Sequence, residues 1–220
     1  MKLEGLTINF LGDSITEGLG VEDIANNRYD NVLKAACNLK EVRNYGIAGT
    51  RIAHQFHPSA DARWDLSFCG RAGTMDPNAD VIVVFGGTND YSTGDAPFGL
   101  PGDTGRGTFC GAVRWLLDFL TTTYPHAVLV FMTPARRVGH LQPTCSVNAY
   151  NPDFPLRDYV KVIVDTAKEY PIHILDLYNE LGIDPDLQED LEKYTIDGLH
   201  FNDAGHHIIA KKLEEFLRKL

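Results

Sequence analysis

The sequence has few of the features that direct a protein to membranes or to nucleic acid. No stretch approaches the roughly 18 apolar residues of a membrane-spanning helix, and the first residues lack the apolar core of a signal peptide. The net charge is −10, and the longest basic runs are pairs such as Lys211-Lys212. Because nucleic acid and anionic membranes attract concentrated positive charge, we expect neither as a partner. We expect a cytoplasmic protein.

Closely spaced cysteines are also missing. The cysteines lie far apart, at Cys37, Cys69, Cys110 and Cys145. This spacing is not typical of metal or redox sites, so we expect free and mostly buried thiols. His206 and His207 are adjacent and point in different directions on a predicted helix, which favours packing or surface roles over metal ligation.

The composition suits a folded domain with a sizeable core. Of 220 residues, 44% are hydrophobic, and we expect a single domain over residues 1–220. Short apolar runs predict strands over 7–11, 41–45, 80–85, 127–132 and 172–175, and helical spacing predicts helices over 28–39, 112–120, 154–170 and 204–220. This alternation predicts a parallel α/β sheet with helices on both faces. Residues 91–107, rich in glycine and proline, are expected to form a long loop.

The first predicted strand ends in Gly12-Asp13-Ser14. Gly12 allows a sharp turn, and Asp13 is expected to act as a hydrogen-bonding scaffold there. A serine at such a turn presents its hydroxyl and its backbone N–H together, as a nucleophile requires. The carboxyl ends of parallel strands gather active groups at one edge, and the other strand ends carry Gly49 and Asn89.

A base and a carboxylate occur together near the end of the chain. Asp197 lies three positions before His200, and Gly198 between them permits a tight loop. The carboxylate can therefore hold a proton on one ring nitrogen of His200 and leave the other nitrogen to face Ser14. Asn202 or Asp203 is a natural N-cap for the final helix.

Four short blocks now stand in order along the chain. They are Gly12-Asp13-Ser14, Asn44-Tyr45-Gly46-Ile47-Ala48-Gly49, Gly87-Thr88-Asn89-Asp90 and Asp197-Gly198-Leu199-His200. Together they resemble the four sequence blocks of the SGNH (GDSL-type) hydrolases, and the resemblance spans residues 7–220.

The resemblance implies a three-layer α/β/α sandwich with a parallel, five-stranded sheet of the flavodoxin-like type, and chemistry that uses no metal and no cofactor. Ser14 matches the nucleophile of the family, His200 the general base and then acid, and Asp197 the residue that orients His200. The backbone N–H groups of Ser14 and Gly49 and the side-chain amide of Asn89 match the oxyanion-hole donors.

The implied function is that of a serine esterase forming an acyl-enzyme. The residues Ile15-Thr16-Glu17-Gly18 follow a form common among carbohydrate esterases and general acyl esterases of the family. With the polar loops, they favour a short acyl group, and we expect an acetyl group on a sugar or oligosaccharide. The oligomeric state stays open. Candidates for substrate contact lie in the loops over the site: Arg51, Tyr91, Arg136 and His140. Trp64 and Phe68 are expected in the core or in a hydrophobic wall.

Three alternatives remain. A lysophospholipase or thioesterase would need a contiguous apolar groove, and the loop 91–107 offers little apolar material. A non-catalytic carbohydrate-binding module of the same fold would not need Ser14, Asp197 and His200, which are all present. A nucleotide-binding protein would need a glycine-rich phosphate loop after the first strand, and the sequence there has neither the second glycine nor the lysine.

Overall fold

The computed structural model describes residues 1–142 and 153–220. Over these residues the chain forms a five-stranded sheet in the order β2-β1-β3-β4-β5, with every neighbouring pair parallel. The strands are β1 (Thr7–Gly12), β2 (Glu41–Gly46), β3 (Val81–Phe85), β4 (Val128–Met132) and β5 (His173–Leu175). This order is that of the flavodoxin-like doubly wound fold. The predicted parallel α/β architecture is confirmed.

Helices connect and cover the strands. They are α1 (Ser14–Glu17), α2 (Ile24–Asn27), α3 (Tyr29–Cys37), α4 (Phe68–Arg71), α5 (Thr88–Ser92), α6 (Phe109–Thr123), α7 (Leu156–Ala167), α8 (Leu177–Glu180), α9 (Gln188–Tyr194) and α10 (Asp203–Lys219), with 3-10 turns at Ala62–Asp65 and Ala72–Thr74. The longer helices were predicted with small errors at their ends. The predicted loop 91–107 begins with the last two residues of α5.

Two hydrophobic layers sandwich the sheet. Alternate residues of β3 point to opposite faces: Ile82 and Val84 join a cluster with α6 and α7, whereas Val81 and Val83 join a cluster with α3 and α10. All four side chains are buried. A strand covered on both faces has no polar side, which explains the unbroken apolar run in the sequence.

The cysteines that the structure describes, Cys37, Cys69 and Cys110, are free and buried, as expected. Cys145 lies outside the described residues. No helix in the described ranges combines the length and the apolar character needed to cross a bilayer.

Candidate active site

The predicted site residues lie at the carboxyl edge of the sheet, around β1 and its two neighbours. Ser14 begins α1 directly after β1, Gly49 follows β2, and Asn89 lies in α5 after β3. In this strand order, β1 and β3 flank the point where successive connections pass to opposite faces of the sheet. Such a point leaves a crevice in which ligands bind.

The turn into α1 is built by its neighbouring residues. A Cβ at Gly12 would fall 1.9 Å from Thr16 Oγ1, so only glycine permits the chain to return this closely. Asp13 caps the helix, because its Oδ1 accepts the N–H of Ile15 at 3.0 Å. This bond confirms the scaffold interpretation of Asp13.

Ser14, His200 and Asp197 form one continuous hydrogen-bonded chain. Ser14 Oγ lies 2.9 Å from His200 Nε2, and His200 Nδ1 lies 2.6 Å from Asp197 Oδ2. Asp197 Oδ1 also accepts the backbone N–H groups of Leu199 at 2.9 Å and of His200 at 2.7 Å. Partial burial raises the pKa of Asp197, but the hydrogen bonds from His200 and Leu199 outweigh it and hold that pKa below its usual value. The ionised carboxylate thus favours a proton on Nδ1, which leaves Nε2 to accept from the serine hydroxyl.

The loop that carries Asp197 and His200 is closed by backbone contacts. Gly198 has a φ of +81°, and a Cβ there would fall 2.3 Å from Val138 Cγ2. The Gly198 carbonyl accepts the N–H of Val138 at 2.9 Å, and the Gly198 N–H donates to Thr195 Oγ1 at 3.1 Å. The segment that follows β4 therefore contacts the loop of Asp197 and His200 through Val138 and stabilises its conformation. Asn202 caps α10, as expected, by accepting the N–H of Gly205.

Asn89 is tied to the loop that carries Gly49. Its Nδ2 donates to the carbonyl of Thr50 at 3.0 Å, and the side chain is buried. An amide nitrogen has two hydrogens, so this bond orients the group and leaves a second hydrogen for another acceptor. Gly49 has a φ of +74°, which turns the backbone at the end of β2.

A buried arginine, which the sequence analysis did not identify, joins the strand ends. Arg71 donates from Nη2 to the carbonyl of Gly12 at 2.6 Å and to Thr50 Oγ1 at 3.1 Å, and from Nη1 to the carbonyl of Tyr45. Burial lowers the pKa of Arg71 to about 10, so its guanidinium is still charged at neutral pH. Nothing in the local sequence around α4 indicates this role.

Asp90, the residue after Asn89, is a second missed support. Its two carboxylate oxygens accept the backbone N–H groups of Ile52 at 2.9 Å and Ala53 at 3.0 Å. Burial raises the pKa of Asp90 to about 6, although these hydrogen bonds oppose the rise. Its position beside Asn89 in the third sequence block was the one available indication.

Two of the candidate substrate contacts are engaged by the protein itself. Arg51 is buried and donates to the carbonyl oxygens of Trp64 at 3.3 Å and Thr93 at 3.0 Å. The buried Tyr91 donates its hydroxyl to the carbonyl of Gly139 at 3.1 Å. Substrate contact by Arg51 and Tyr91 stays a prediction.

The other two candidates also have protein partners. Arg136 is half-buried, donates to the carbonyl of Tyr178 at 3.0 Å and pairs with Asp184 at 2.8 Å. His140 is buried, and its Nδ1 lies 2.8 Å from the hydroxyl oxygen of Tyr178. Substrate contact by Arg136 and His140 likewise stays a prediction.

The other aromatic and histidine residues with a predicted role lie in different environments. Phe68 belongs to the core, whereas Trp64 is 38% exposed and its ring lies against Gly49. His206 is buried against Tyr29, whose backbone N–H it accepts at 3.2 Å, and burial lowers its pKa to about 4. His206 therefore has the packing role that was expected.

The chain was compared with known protein families and with curated proteins. The family model described as GDSL-like Lipase/Acylhydrolase matches residues 10–208. A search of curated proteins found no match.

Several solved structures are similar over the whole chain. A protein from Lactobacillus plantarum shares 30% identity, with 98% of each chain covered and a TM-score of 0.83. A candidate arylesterase from Agrobacterium tumefaciens shares 20% identity, with 97% of this chain and 99% of that one covered and a TM-score of 0.66. An acetyl xylan esterase shares 21% identity, with 96% and 100% covered and a TM-score of 0.62.

At 20–21% identity the last two likenesses concern the fold. The family match covers most of the chain, and it confirms the resemblance drawn from the four sequence blocks. The chain is a carboxylic ester hydrolase and belongs to the GDSL-like lipase/acylhydrolase family.

Proposed function

We propose that the protein is a serine esterase that removes short acyl groups, acetyl above all, from a carbohydrate through an acyl-enzyme on Ser14. The observation that carries this proposal is the hydrogen-bonded chain from Ser14 through His200 to Asp197, with distances of 2.9 and 2.6 Å. A serine hydroxyl is a weak nucleophile unless an adjacent base takes its proton, and a third group must orient that base.

In the proposed reaction, Ser14 Oγ attacks the ester carbonyl carbon while His200 Nε2 takes the hydroxyl proton. His200 then gives this proton to the oxygen of the leaving alcohol as the ester bond breaks. A water molecule next attacks the acyl-enzyme, with His200 again as the base, and releases the acid and the free serine. Asp197 stabilises the positively charged imidazolium in both steps.

The negative charge that develops on the carbonyl oxygen needs preplaced donors. We assign this role to the backbone N–H groups of Ser14 and Gly49 and to the amide of Asn89. The bond from Asn89 Nδ2 to the Thr50 carbonyl holds the amide in place before substrate binds. Each such donor contributes roughly 3 kcal/mol to the stabilisation of the transition state.

Three observations support a small acyl group on a hydroxylated alcohol. Trp64 places a partly exposed aromatic ring beside Gly49, and we expect this ring to limit the space for an acyl chain. The cavity of about 290 Å³ beside Phe98 and Phe154 has charged residues in its lining and is not lined by Ser14 or His200, so it offers no extension of the site for a fatty chain. A protein of the same fold is named an acetyl xylan esterase.

Hydrolysis of a p-nitrophenyl ester series, from acetate to palmitate, tests the proposal. The wild-type protein is compared with Ser14→Ala and with the control variant Ser92→Ala, and release of acetate from an acetylated oligosaccharide is measured in parallel. We expect the highest kcat/KM with acetate, loss of turnover in Ser14→Ala and no change in Ser92→Ala. Mass spectrometry should find a phosphonyl adduct on Ser14 after reaction with a serine-directed phosphonate.

Each alternative gives a different result. A maximum at long chains would favour a lysophospholipase or thioesterase. No turnover of any ester by the wild-type protein would favour a non-catalytic carbohydrate-binding module. Equal turnover by Ser14→Ala would contradict the proposed nucleophile.

A further inference from the structure

His140 points a ring nitrogen at two carboxylates without a hydrogen bond to either. Its side chain is 3% exposed, and its Nε2 lies 3.5 Å from Asp184 Oδ1 and 3.6 Å from Asp186 Oδ2. Within residues 1–142 and 153–220, this buried nitrogen has no hydrogen-bond partner. A buried polar atom without a partner is costly, so the arrangement needs a physical explanation.

The hydrogen bond of the other ring nitrogen is compatible with a neutral His140 that carries its proton on Nδ1. Nδ1 lies 2.8 Å from the hydroxyl oxygen of Tyr178, to which it can donate a proton. With that proton on Nδ1, Nε2 bears a lone pair that faces two negatively charged oxygens. Lone pairs in this arrangement repel one another unless a positive charge lies between them.

The distances distinguish a proton from a larger cation. A protonated Nε2 would draw a carboxylate to about 2.7–2.9 Å, as charge-assisted hydrogen bonds do. A metal ion bound about 2.0–2.2 Å from each ligand at near-tetrahedral angles separates the ligand atoms by roughly 3.4 Å. The observed separations of 3.5 and 3.6 Å match the second case.

The remaining atoms of both carboxylates are already held in place. Asp184 Oδ2 pairs with Arg136 at 2.8 Å, and Asp186 Oδ1 accepts the N–H of Gly139 at 2.8 Å. Asp184 Oδ1 also accepts the backbone N–H of Asp186 at 3.2 Å, which uses one of its lone pairs. Each carboxylate therefore has one oxygen fixed by Arg136 or Gly139 and a second oxygen that faces Nε2 of His140. Outer contacts of this kind orient the ligands of metal sites. With two carboxylates against one guanidinium, the cluster keeps a negative charge.

We propose that His140 Nε2, Asp184 Oδ1 and Asp186 Oδ2 bind a divalent transition-metal ion of the Zn²⁺ type, away from the acyl-transfer chemistry. One imidazole nitrogen and two carboxylate oxygens, all within 4.8 Å of one another, form a three-ligand set of the kind that Zn²⁺ accepts. The family resemblance implied no metal for the chemistry, and this site serves a different purpose.

We infer the purpose of the ion from the two chain segments that its three ligands would connect. His140 lies in the segment after β4, in which the N–H of Val138 donates to the carbonyl of Gly198 in the loop of Asp197. Asp184 and Asp186 precede α9. An ion that links the two segments would hold Val138 against the Asp197–His200 loop and would stabilise the folded protein.

Metal titration of the chelator-treated protein tests the proposal. Zn²⁺, Mn²⁺, Ca²⁺ and Mg²⁺ are titrated separately by calorimetry, and the thermal unfolding temperature is measured with and without each ion. We expect one Zn²⁺ per chain, an increase in the unfolding temperature with Zn²⁺, and weaker effects of Ca²⁺ and Mg²⁺. X-ray absorption of the Zn²⁺ form should show nitrogen and oxygen ligands without sulfur, which excludes binding by the cysteines.

Two variants and one control make the test specific. Mutation of a residue that only contacts a metal ligand typically lowers metal affinity by about 10–100-fold. His140→Gln and Asp186→Asn change the ligands themselves, so each should weaken Zn²⁺ binding by at least this factor. His126 is exposed and lies before β4, at the amino ends of the strands. His126→Gln is therefore the control, and we expect it to leave Zn²⁺ binding unchanged. Asp186 is partly exposed, so its variant remains informative if His140→Gln fails to fold. Absence of Zn²⁺ binding by the wild-type protein, or unchanged binding in Asp186→Asn, would overturn the proposal.

Discussion

The indole ring of Trp64 lies directly against the backbone of Gly49. A Cβ built on Gly49 would fall 2.5–2.8 Å from three atoms of this ring. Trp64 is held there by its own segment, because Arg63 pairs with Glu17 Oε1 at 2.6 Å. Glu17 Oε2 in turn accepts the N–H of Ala48, the residue before Gly49. The aromatic ring and the proposed oxyanion donor are therefore positioned as one unit.

Replacement of Gly49 should impair catalysis more than folding. Gly49→Ala adds a methyl group at a φ of +74° and pushes it into the indole ring, so the backbone N–H must move. We expect kcat for p-nitrophenyl acetate to fall by about 10²-fold, the size of effect seen when an oxyanion donor is removed. Steady-state kinetics and the thermal unfolding temperature measure both effects.

A double variant separates the two causes. Trp64→Ala removes the clash, whereas the unfavourable φ remains. If Gly49→Ala acts mainly through the indole ring, the double variant should recover part of the lost kcat and the two changes will not be additive. Additive losses would show that the ring does not position Gly49.

The amide of Asn89 should act on kcat rather than on KM. Asn89→Ala removes the proposed oxyanion donor. The hydrogen bond that the protein itself loses is the one from Asn89 Nδ2 to the carbonyl of Thr50. Because the amide is proposed to bind charge that exists only in the transition state, we expect kcat to fall by about 10²–10³-fold with little change in KM. The exposed Asn78 gives the control Asn78→Ala. A change confined to KM would contradict the oxyanion assignment.

The carboxylate of Asp197 should control the tautomer of His200. In Asp197→Asn, an amide NH₂ facing Nδ1 favours a proton on Nε2, which cannot then accept the proton of Ser14. The equivalent change in a serine-protease triad lowers kcat by about 10⁴-fold, and we expect a loss of this order. Asp118→Asn, at an exposed position on α6, is the control. A loss below about tenfold would remove Asp197 from the proposed triad.

The sequence predicted the sheet and the grouping of Ser14, Asp197 and His200, for a physical reason in each case. Strands buried on both faces are continuous apolar runs, as in β3. Parallel strands also place their carboxyl ends at one edge, so residues that follow different strands meet. The turn from Asp197 to His200 is local, and its geometry depends on four successive residues.

Features that depend on distant contacts could not be predicted. The short helices, such as α1 and α5, span four or five residues, which is too few to show helical periodicity. Arg71 reaches carbonyls 26 and 59 positions away, and Arg136 pairs with Asp184, 48 positions away. A polar side chain in a loop gives no indication of whether its partner is the protein or a substrate.

Arg71 should be essential for stability because it serves several buried acceptors. Arg71→Lys keeps the charge but cannot reach the carbonyls of Gly12 and Tyr45 together. Each buried acceptor left without a donor costs about 1–3 kcal/mol, so we expect the free energy of unfolding to fall by about 3 kcal/mol. Urea unfolding measures the loss. The exposed pair of Arg63 with Glu17 gives the control Arg63→Lys, for which little change is expected.

The buried carboxyl group of Asp13 should make the folded protein less stable as the pH rises. Burial raises its pKa from 3.8 to about 7, and this effect exceeds the opposing hydrogen bond from Ile15 and the charge of Arg71. Between these two values the folded state binds more protons than the unfolded state, so the free energy of unfolding decreases with pH. Below about 4 the contribution of Asp13 is fully present, and above about 7 it is lost.

Asp13→Asn should remove this dependence, because the amide is neutral and its oxygen can still accept the N–H of Ile15. The free energy of unfolding of the variant, minus that of the wild-type protein, should therefore rise between pH 4 and pH 7, with a slope of at most about 1.4 kcal/mol per pH unit. Asp90 has a pKa of about 6 and its charge helps to raise the pKa of Asp13, so the difference reports the titration of Asp13 together with its coupling to Asp90. Urea unfolding at intervals of half a pH unit measures the slope. Parallel profiles of the two proteins would mean that Asp13 is ionised throughout this range and that the backbone N–H and Arg71 outweigh its burial.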